Sequence, residues 1–443
     1  MKVILIDKFA FNRSQLTTQK GLYLSDCDCA CPIDGVIVPV LSLPITLYLE
    51  LTPACNNRCP GCSNLYAAER SFCPPSLTGD QWQTLIAQFA PHVHHIKLTG
   101  GEPTLHPNFG AIVSALNAHN ISFAVFTNAR WSDPECVLDT LCAAPVCDGL
   151  LISLHGPDAA THEAFTGVPG SFAETVVNIR RAVAAGLNVA ASLVVTRHNW
   201  EQIETTLSLS LDLGVNHLVC NRWIGTPQLN LAPDPAQLRE VVAKVEALRV
   251  AKKPIRFGNC IPQCFKLSSS TGCTAGASSA TIDPWGRVRP CNHVPLIAGD
   301  LWIQSLEEIW HGEVMRHWRD MVPDACTACP VFATCHGGCR AQALLAGTEQ
   351  DPLIEMPFPL PTPESEMRLW SGLRPVAQFT SCEDQEQLLL IHKSQVAIAP
   401  ATLHALIPSL DGSLTLQQIQ QSYGDAAVDW VGSLAQAGLV IWE

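Results

Sequence analysis

Three cysteines lie within the eight-residue segment CNNRCPGC, at Cys55, Cys59 and Cys62, with the spacing C-x3-C-x2-C. Thiolates at such short spacing bind metal ions or iron–sulfur clusters, and both kinds of centre usually take four protein ligands. Three cysteines on one loop therefore leave one coordination position open, as a catalytic metal centre does. A structural zinc ion would need a fourth ligand nearby, and Cys73 is the close candidate.

A second set of cysteines lies between residues 260 and 339. In chain order they are Cys260, Cys264, Cys273, Cys291, Cys326, Cys329, Cys335 and Cys339. The last four have the spacing C-x2-C-x5-C-x3-C, and C-x2-C pairs taken alone are typical of zinc sites. Clustered cysteines in a chain without a secretory signal bind metal more often than they form disulfides. This region is therefore a second candidate metal-binding region.

The first cysteine loop follows a short apolar strand in a pattern of alternating strands and amphipathic helices. The predicted strands are residues 46–52, 94–100, 121–128, 149–156, 187–196 and 215–221. Six such units predict a parallel sheet covered by helices, and either an open, partial barrel or a doubly wound sheet fits them. In both folds, ligands bind at the carboxyl ends of the strands, where the three cysteines lie.

A glycine-rich motif follows the second predicted strand. It is TGGEP, residues 99–103. Gly100 and Gly101 remove side chains where we expect the backbone to meet a ligand, and Glu102 provides a carboxylate at the same edge of the sheet. Two adjacent glycines are common in turns, so this motif becomes specific only together with the cysteine loop.

A C-x3-C-x2-C loop after the first strand and GGEP after the second resemble the radical S-adenosylmethionine (radical SAM) enzymes. The resemblance implies a partial (β/α)6 TIM-like barrel and a 4Fe–4S cluster held by Cys55, Cys59 and Cys62. The fourth iron would bind S-adenosylmethionine. Reductive cleavage of that cofactor would give a 5′-deoxyadenosyl radical that abstracts hydrogen from a substrate.

The same resemblance assigns residues to S-adenosylmethionine binding. They are Gly100, Gly101, Glu102, Pro103, Asn128 and Ser153. Glu102 is implied to bind the methionyl amino group, whereas Asn128 and Ser153 are equally well explained as polar residues at strand ends. In HEAFTGVPGSF, Thr166 stands where many relatives have an arginine, which leaves the contact to the methionyl carboxylate open.

The later cysteines resemble the SPASM extension, which holds auxiliary 4Fe–4S clusters. Gly286 lies between Cys273 and Cys291 in the pattern Cys-x12-Gly-x4-Cys, as in that family. The implied first cluster takes Cys273, Cys291 and Cys339, together with Cys260 or Cys264. The implied second cluster takes Cys326, Cys329 and Cys335. Its last family cysteine is absent.

Ile354 occupies the position of the missing cysteine. Asp351, Glu355 or Cys382 is a candidate replacement, and an incomplete or absent second cluster is the alternative. The resemblance thus implies one or two auxiliary clusters, which would relay electrons or bind substrate.

The last residues, 373–443, follow a Pro-rich linker at 356–372 and predict a hairpin, three short helices and a closing strand. This winged-helix-like α+β unit resembles the leader-binding domain of ribosomal peptide modification systems, as in the pyrroloquinoline-quinone peptide chaperone. Such domains bind a peptide by adding it as a strand to the hairpin edge. A generic winged helix has the same outline, but the tail has few basic residues for binding DNA.

Composition limits the other functions. Among 443 residues there are 27 Lys and Arg against 40 Asp and Glu, a balance that argues against nucleic-acid binding. With no signal peptide and no apolar run of roughly 18 residues, we expect no membrane partner and a soluble cytoplasmic protein.

The predicted organisation has five parts. Residues 1–45 have no clear role and include Cys27, Cys29 and Cys31, residues 46–250 form the barrel, and residues 251–355 form the SPASM region, before the linker and tail.

These features predict an oxidoreductase that modifies a ribosomally made precursor peptide. The product would contain a thioether, C–C or C–O crosslink, and the electron would come from a reductant such as flavodoxin or ferredoxin. A radical SAM enzyme acting on a tetrapyrrole or other small molecule is the alternative. A peptide-binding scaffold without catalysis is a third possibility, although the intact Cys55, Cys59, Cys62 and Glu102 argue against it.

Overall fold

The computed structural model describes residues 4–6, 40–67, 73–265, 272–327, 329, 332–355, 373–384, 387–392, 395–436 and 439–442. Cys27, Cys29, Cys31 and the predicted linker at 356–372 lie outside these ranges. Among the described residues, no helix is both long enough and apolar enough to cross a membrane.

Sixteen strands are present in the described ranges. They are β1 (Ile4–Ile6), β2 (Thr46–Glu50), β3 (His95–Thr99), β4 (Ser122–Thr127), β5 (Cys147–Ser153), β6 (Val189–Val195), β7 (His217–Arg222), β8 (Ile255–Phe257), β9 (Ser279–Ile282), β10 (Arg287–Arg289), β11 (Gly299–Asp300), β12 (Pro375–Ala377), β13 (Thr380–Asp384), β14 (Gln387–His392), β15 (Gln395–Pro400) and β16 (Val440–Trp442).

The α-helices of the described ranges cover mainly the large sheet and the tail. They are α1 (Gly79–Phe89), α2 (Phe109–Ala118), α3 (Pro134–Cys142), α4 (Ala159–Thr166), α5 (Ser171–Ala184), α6 (Ile203–Asp212), α7 (Pro235–Val250), α8 (Leu306–Trp310), α9 (Glu313–Asp320), α10 (Asp324–Thr327), α11 (Phe332–Cys335), α12 (Arg340–Ala346), α13 (Leu416–Tyr423) and α14 (Asp425–Gln436). Short 3-10 helices occur at Pro103–Leu105, Trp200–Gln202, Pro227–Leu229 and Ala401–Ser409.

The central sheet has the strand order β11-β10-β9-β2-β3-β4-β5-β6-β7-β8. Strands β2 to β8 lie side by side in sequence order and are parallel. The order never reverses within this run, so the sheet lacks the switch point of a doubly wound fold. All six predicted strands are confirmed, and their order is that of the partial barrel.

Local sequence explains why the helices form and which face they bury. Thr78 caps α1, with its hydroxyl accepting from the Gln81 amide while the Gln81 side chain accepts from the Thr78 amide. The face of α1 that carries Trp82 and Leu85 is buried with the strand residue Leu47 in one apolar core. Burial of this stripe fixes the helix against the sheet, and the strand ends are fixed with it.

The sheet continues past residue 250, where the sequence suggested a domain boundary. Strand β9 pairs in parallel with β2, and β10 returns antiparallel beside it. Arg289 at the end of β10 forms a buried ion pair with Glu50 at the end of β2. Burial raises the pKa of Glu50 to about 7, although the adjacent guanidinium opposes the shift. The ion pair fixes the start of the cysteine-rich region at the carboxyl end of the barrel.

The tail contains the predicted hairpin, formed by β14 and β15, and β13 extends it. The predicted closing strand β16 is also present, but it pairs with β12 rather than with the hairpin. The first predicted helix is a 3-10 helix, Ala401–Ser409, which contains Pro408. The core of the tail is built around Trp430 and is separate from that of the barrel.

Strand β1 was not expected, because residues 1–45 show no strand pattern. It pairs antiparallel with β15 at the edge of the tail sheet. A strand of three residues is too short for its own periodicity to show, and its partner is at the other end of the chain.

Candidate active site and metal centres

The loops that follow β2, β3, β4, β5 and β7 all lie at the carboxyl edge of the parallel sheet. They surround a cavity of about 450 Å³. Cys55, Cys59 and Cys62 line one part of this cavity, and Ser153 and Asn128 line its wall beside them. Gly100 and Gly101 also line it. The structure therefore brings the three-cysteine loop and four of the six predicted cofactor-binding residues to one cavity, and only Glu102 and Pro103 of that set do not line it.

Polar side chains that follow β4 hold the three-cysteine loop by hydrogen bonds. Arg130 donates from Nη1 to the Asn56 carbonyl at 2.7 Å and to Asn57 Oδ1 at 2.9 Å. Asn128 donates from Nδ2 to Asn56 Oδ1 at 2.7 Å and reaches Cys55 Sγ at 3.7 Å. Sequence reasoning missed Arg130, which follows Asn128 by two residues at the end of β4.

The two glycines of the GGEP motif are required by a contact between two backbone segments. The Gly101 amide donates to the Thr52 carbonyl at 2.7 Å, and the Glu102 amide donates to the Ala54 carbonyl at 2.8 Å. A Cβ on Gly101 would lie 2.0 Å from the Ala54 oxygen. Gly100 has a φ of +125°, which favours glycine. The glycines thus allow the motif to pack on the cysteine loop, and because both also line the cavity, their contact with a ligand stays a prediction.

Glu102 is fully buried and accepts hydrogen bonds from three residues. Oε1 accepts from the Thr104 hydroxyl at 2.7 Å and the Thr127 hydroxyl at 2.8 Å, and Oε2 accepts from the Asn128 amide at 2.8 Å. Burial raises the pKa of Glu102, and these hydrogen bonds oppose the shift. The carboxylate joins the ends of β3 and β4 and is not among the residues that line the cavity. Its contact with a methionyl amino group stays a prediction.

Helix α4 supports the cysteine loop at the position where an arginine is common in relatives. The Thr166 carbonyl accepts a hydrogen bond from the Arg58 amide at 2.8 Å. The Thr166 hydroxyl lies 2.6 Å from the hydroxyl of Ser171. His162 of the same helix accepts the His155 amide at 3.2 Å. Burial lowers the pKa of His162 to about 4, with repulsion from Arg130 as a smaller cause. Both histidines are therefore neutral supports of this wall at pH 7.

The interior of the barrel contributes polar groups that the sequence did not single out. Lys97 on β3 is buried, with Nζ 2.9 Å from the Tyr48 hydroxyl and 4.6 Å from the centre of its ring. Trp223, after β7, is also buried, and its Nε1 has no hydrogen-bond partner among the described residues. This nitrogen lies beside Gly61 of the cysteine loop. An unpaired buried N–H at the cavity wall suits a ligand with a hydrogen-bond acceptor.

Four of the later cysteines line the same cavity. They are Cys260, Cys273, Cys291 and Cys339. Three of these thiols also pack around the buried residues Trp318 and Val294. The cavity therefore extends from three thiols on the β2 loop to four thiols contributed by distant segments.

The remaining four later cysteines form a second group away from the cavity. They are Cys264, Cys326, Cys329 and Cys335. Cys264 and Cys329 pack on the apolar cluster of Cys326, Phe332 and Ile354. The Gln263 amide donates to Cys335 Sγ at 3.4 Å, which joins the first and last members of the group. None of these four lines the cavity.

Burial, with neighbouring thiols as a smaller cause, raises the pKa of six of these thiols, namely Cys260, Cys264, Cys291, Cys326, Cys335 and Cys339. The pKa is about 11 for Cys264 and Cys339 and about 12 for Cys326. Such thiols lose the proton readily only when a metal binds the sulfur in its place. Metal loading would therefore be coupled to the release of protons. Among the described residues, no three side chains of His, Cys, Asp or Glu converge as the ligands of a single metal ion would. Thiols around a cluster of several irons stand further apart than those around one ion.

Two of the candidate replacements for the missing cysteine are engaged elsewhere. Asp351 pairs with Arg222 through both oxygens, at 3.1 and 2.8 Å, and accepts the Cys339 amide at 2.8 Å. Glu355 pairs with Arg239 through its side chain. The side chain of the third candidate, Cys382, lies outside the described residues. Both carboxylates therefore have an arginine partner in this structure, and their part in the second group stays a prediction.

Two family models match the chain. Residues 49–210 match the radical SAM superfamily, and residues 273–330 match SPASM, an iron–sulfur cluster-binding domain. The first match covers β2 to α6 with the three-cysteine loop, and the second covers Cys273, Cys291, Cys326 and Cys329.

Curated relatives match most of their own length. The mycofactocin maturase MftC of Mycobacterium ulcerans is 30% identical over 329 residues, which are 70% of this chain and 87% of the relative. The AdoMet-dependent heme synthase of Methanosarcina barkeri is 27% identical over 348 residues, which are 73% of this chain and 98% of the relative.

Among solved structures, SuiB of Streptococcus suis bound to S-adenosylmethionine matches with a TM-score of 0.61 at 17% identity. The match covers 72% of this chain and 78% of SuiB. SuiB has also been solved with its precursor peptide SuiA. At this identity the likeness concerns the fold.

Proposed function

The chain belongs to the radical SAM superfamily with a SPASM iron–sulfur domain, and from this we propose that it is a maturase of a ribosomally made peptide. The enzyme class follows from the family. The observation that carries the proposal is that one cavity is lined both by Cys55, Cys59 and Cys62 and by four later thiols. A substrate in this cavity would contact both the radical source and an electron acceptor.

We assign the cofactor ligands from the contacts of these residues. Cys55, Cys59 and Cys62 would hold the 4Fe–4S cluster that binds S-adenosylmethionine. When bound, these two groups supply the 5′-deoxyadenosyl radical that removes a hydrogen atom from substrate. Gly100 and Gly101 shape the adjacent backbone, and Glu102 fixes the loop geometry. The Trp223 Nε1 proton, which has no hydrogen-bond partner among the described residues, would bind an acceptor on cofactor or substrate.

Crosslink formation requires an electron acceptor close to the substrate. Closing a thioether, C–C or C–O bond within a peptide removes two hydrogen atoms, which together are two protons and two electrons. One hydrogen atom leaves in 5′-deoxyadenosine, and the second leaves as a proton and an electron. The buried thiols around Cys273 and Cys291 are placed to hold the acceptor of that electron. A flavodoxin or ferredoxin would supply the electron that starts each turnover.

A peptide is the favoured substrate for two reasons. Of the two curated relatives described above, the maturase has the higher identity, 30% against 27%, and the match covers 87% of its length. The tail also presents a three-stranded meander, β13 to β15, of the kind that accepts an added peptide strand. The heme synthase relative, matched over 98% of its length, favours a tetrapyrrole as the second candidate.

The first experiment is anaerobic reconstitution with iron and sulfide, followed by dithionite and S-adenosylmethionine. Chromatography would score 5′-deoxyadenosine for the wild type and for Cys59→Ala. We expect product from the wild type and only background from the variant. A wild type with a full iron content that forms none, with or without substrate, would overturn the enzymatic proposal and favour a binding scaffold.

The substrate class is tested by adding either a candidate precursor peptide, taken from any short reading frame beside this gene, or an iron tetrapyrrole. A loss of two mass units from the peptide, together with faster formation of 5′-deoxyadenosine, is the expected result. A mass change confined to the tetrapyrrole would overturn the peptide proposal and leave the radical chemistry intact.

A further inference from the structure

The segment Cys260–Cys264 connects the two groups of later thiols. Cys260 lines the cavity with Cys273, Cys291 and Cys339, whereas Cys264 packs beside Cys326 and Cys329 on the other side. Only three residues separate the two thiols in the chain.

The contacts around Cys264 show which group it joins. The preceding amide, of Gln263, donates to Cys335 Sγ at 3.4 Å. Cys264 Sγ accepts the Glu355 amide at 3.3 Å, which places residues 354 and 355 against it. Ile354 is buried in the same apolar cluster. The position of the missing family cysteine and the thiol of Cys264 therefore lie at one site.

We infer that Cys264 is the fourth ligand of the second auxiliary cluster, with Cys326, Cys329 and Cys335. Cys260 then belongs to the first cluster. Cys264, which precedes the other three cysteines in the chain, takes the place of the family cysteine that follows them. The position of that cysteine can therefore be occupied by the apolar Ile354. The assignment rests on the family's cluster chemistry and on the contacts of this chain.

The assignment has a consequence for electron transfer. The first group lies at the cavity and the second lies behind it, and the five-residue segment Cys260–Cys264 has a ligand in each. An electron taken from substrate at the first cluster has a short covalent path to the second. The second cluster would then be the exit toward an external acceptor.

The test compares Cys264→Ala with Cys260→Ala, using Cys147→Ala as the matched control. Cys147 begins β5 at the end of the strand opposite the cavity. Iron content, sulfide content and electron paramagnetic resonance spectra would be measured after reconstitution. Three full clusters give about 12 iron atoms per chain. We expect Cys264→Ala to lose up to about four of them, or to show an altered spectrum of one cluster only.

The two alanine variants must change different spectral signals, and Cys147→Ala must change none. The inference is overturned if Cys264→Ala keeps the iron content and spectrum of the wild type. It is also overturned if Cys264→Ala and Cys260→Ala alter the same signal.

A rescue variant distinguishes the loss of a cluster ligand from misfolding of Cys264→Ala. Cys264→Ala combined with Ile354→Cys restores a thiol from the other side of the same apolar cluster. We expect it to recover the iron and the signal lost in Cys264→Ala. Failure of the rescue while Ile354→Cys alone retains all iron would contradict the shared position of the two side chains.

A second observation, the pairing of β1 with β15, concerns the tail. Ile4–Ile6 pairs with β15 in antiparallel register, Ile4 opposite Ile398 and Ile6 opposite Val396. On its other side β15 pairs with β14. Strand β1 therefore covers the edge of β15 that the hairpin itself leaves unpaired. The tail has its own buried core and its own sheet without these three residues.

We propose that the segment containing Ile4–Ile6 is an intramolecular ligand of this edge, which an incoming leader peptide must displace. The proposal rests on the peptide-binding function proposed above for the tail. Strand addition uses backbone hydrogen bonds, so one edge accommodates one strand at a time. A tethered strand competes with a free peptide at an effective concentration that its tether sets.

The test uses a fluorescein-labelled peptide with the sequence of residues 1–10 and measures its anisotropy. The proteins are the full chain and a variant lacking residues 1–8, and the control peptide carries proline at the positions of Ile4 and Ile6. We expect the variant to bind the peptide at least about tenfold more tightly than the full chain. The control peptide should bind neither protein.

Equal affinities for the two proteins, or no binding to the shortened one, would overturn the proposal. The assay needs neither clusters nor S-adenosylmethionine. Its outcome is therefore separate from that of the 5′-deoxyadenosine assay, and a failure of either is distinguishable from a failure of the other.

Discussion

The two cysteine-rich regions are built in opposite ways. In the loop after β2, three thiols stand at least partly exposed, and Cys62 is the most exposed of them. In the later region eight thiols form two groups, and Cys326, Cys335 and Cys339 are buried. The loop is fixed by backbone contacts and amide side chains, whereas the later groups are fixed by an apolar core and a buried ion pair.

The difference agrees with the proposed roles of the two regions, radical chemistry at the first and electron transfer at the second. A site that must bind a small molecule needs a free position and access to the cavity. A site that only accepts an electron works best with complete ligation and little water, because burial and charge set its potential. Ligand number and burial together therefore distinguish the two roles better than cysteine spacing does.

The largest expected effect follows from disturbing the support of the first region. In Gly101→Ala the new Cβ would lie 2.0 Å from the Ala54 oxygen, so the cysteine loop must move. We expect 5′-deoxyadenosine formation to fall to background while the iron of the later groups is retained. Chromatography and iron analysis would measure both.

Gly110→Ala is the matched control for this change. Gly110 lies in α2, and a Cβ there would meet Thr140 at 3.9 Å, an ordinary contact. It should stabilise the protein by roughly 0.5–1 kcal/mol without changing activity. Equal activity of the two variants would show that the contact of GGEP with the loop is dispensable.

The later region should be sensitive to its buried ion pair. Arg222 and Asp351 have side chains exposed by 3% and 0%, and Asp351 also accepts the Cys339 amide. Arg222→Met leaves a buried carboxylate without its partner, and we expect a loss of about 3–5 kcal/mol in the free energy of unfolding. Iron of the first auxiliary group should fall with it.

Arg249→Met removes a partly exposed ion pair with Glu246 and is the control for this prediction. We expect it to cost less than about 1 kcal/mol. Denaturant titration of reconstituted protein would compare the two variants. A cost for Arg222→Met as small as that of the control would mean that the pair does not hold the later region together.

Acid should weaken the first region through His162. Its folded pKa of about 4 lies below the usual 6.5, so the unfolded chain binds the proton more readily. The stability contribution is complete above pH 6.5 and is lost as the pH falls toward 4, by roughly 3 kcal/mol. In His162→Asn this part of the pH dependence should disappear, because asparagine still offers an acceptor to the His155 amide but cannot be protonated.

Thermal unfolding between pH 7 and 4 would measure the effect of His162→Asn. The exposed His119 at the end of α2 provides the control substitution, His119→Asn. If wild type and His162→Asn keep parallel pH profiles, acid does not act through α4.

The smallest expected effect concerns Ser153, which lines the cavity near the first region. Ser153→Ala removes one hydroxyl from the cofactor side, and a neutral hydrogen bond contributes about 1 kcal/mol, or roughly a fivefold rise in the KM for S-adenosylmethionine. Iron content and kcat should be unchanged. A fall in kcat at unchanged KM would instead assign Ser153 to the substrate.

The sequence predicted the barrel well because its signals are local. Each strand and helix of residues 46–225 shows its own periodicity, and all six predicted strands are present. The cysteine loop and GGEP are each contiguous, and parallel strands bring their carboxyl ends to one edge, so their proximity could be deduced. The role of the glycines was only partly deduced, because the neighbouring backbone at Thr52 and Ala54 becomes visible only in the fold.

By itself, then, the sequence determined the open three-thiol loop, the parallel barrel and the presence of a second cysteine-rich region. Tertiary structure decided how eight later thiols divide into two groups, why Ile354 can replace a cysteine, and which strand occupies the edge of the tail. The physical reason is separation along the chain: Gln263 meets Cys335 and β1 meets β15 through contacts that no local pattern encodes. Spacing limits which thiols could share a site, but packing chooses among them.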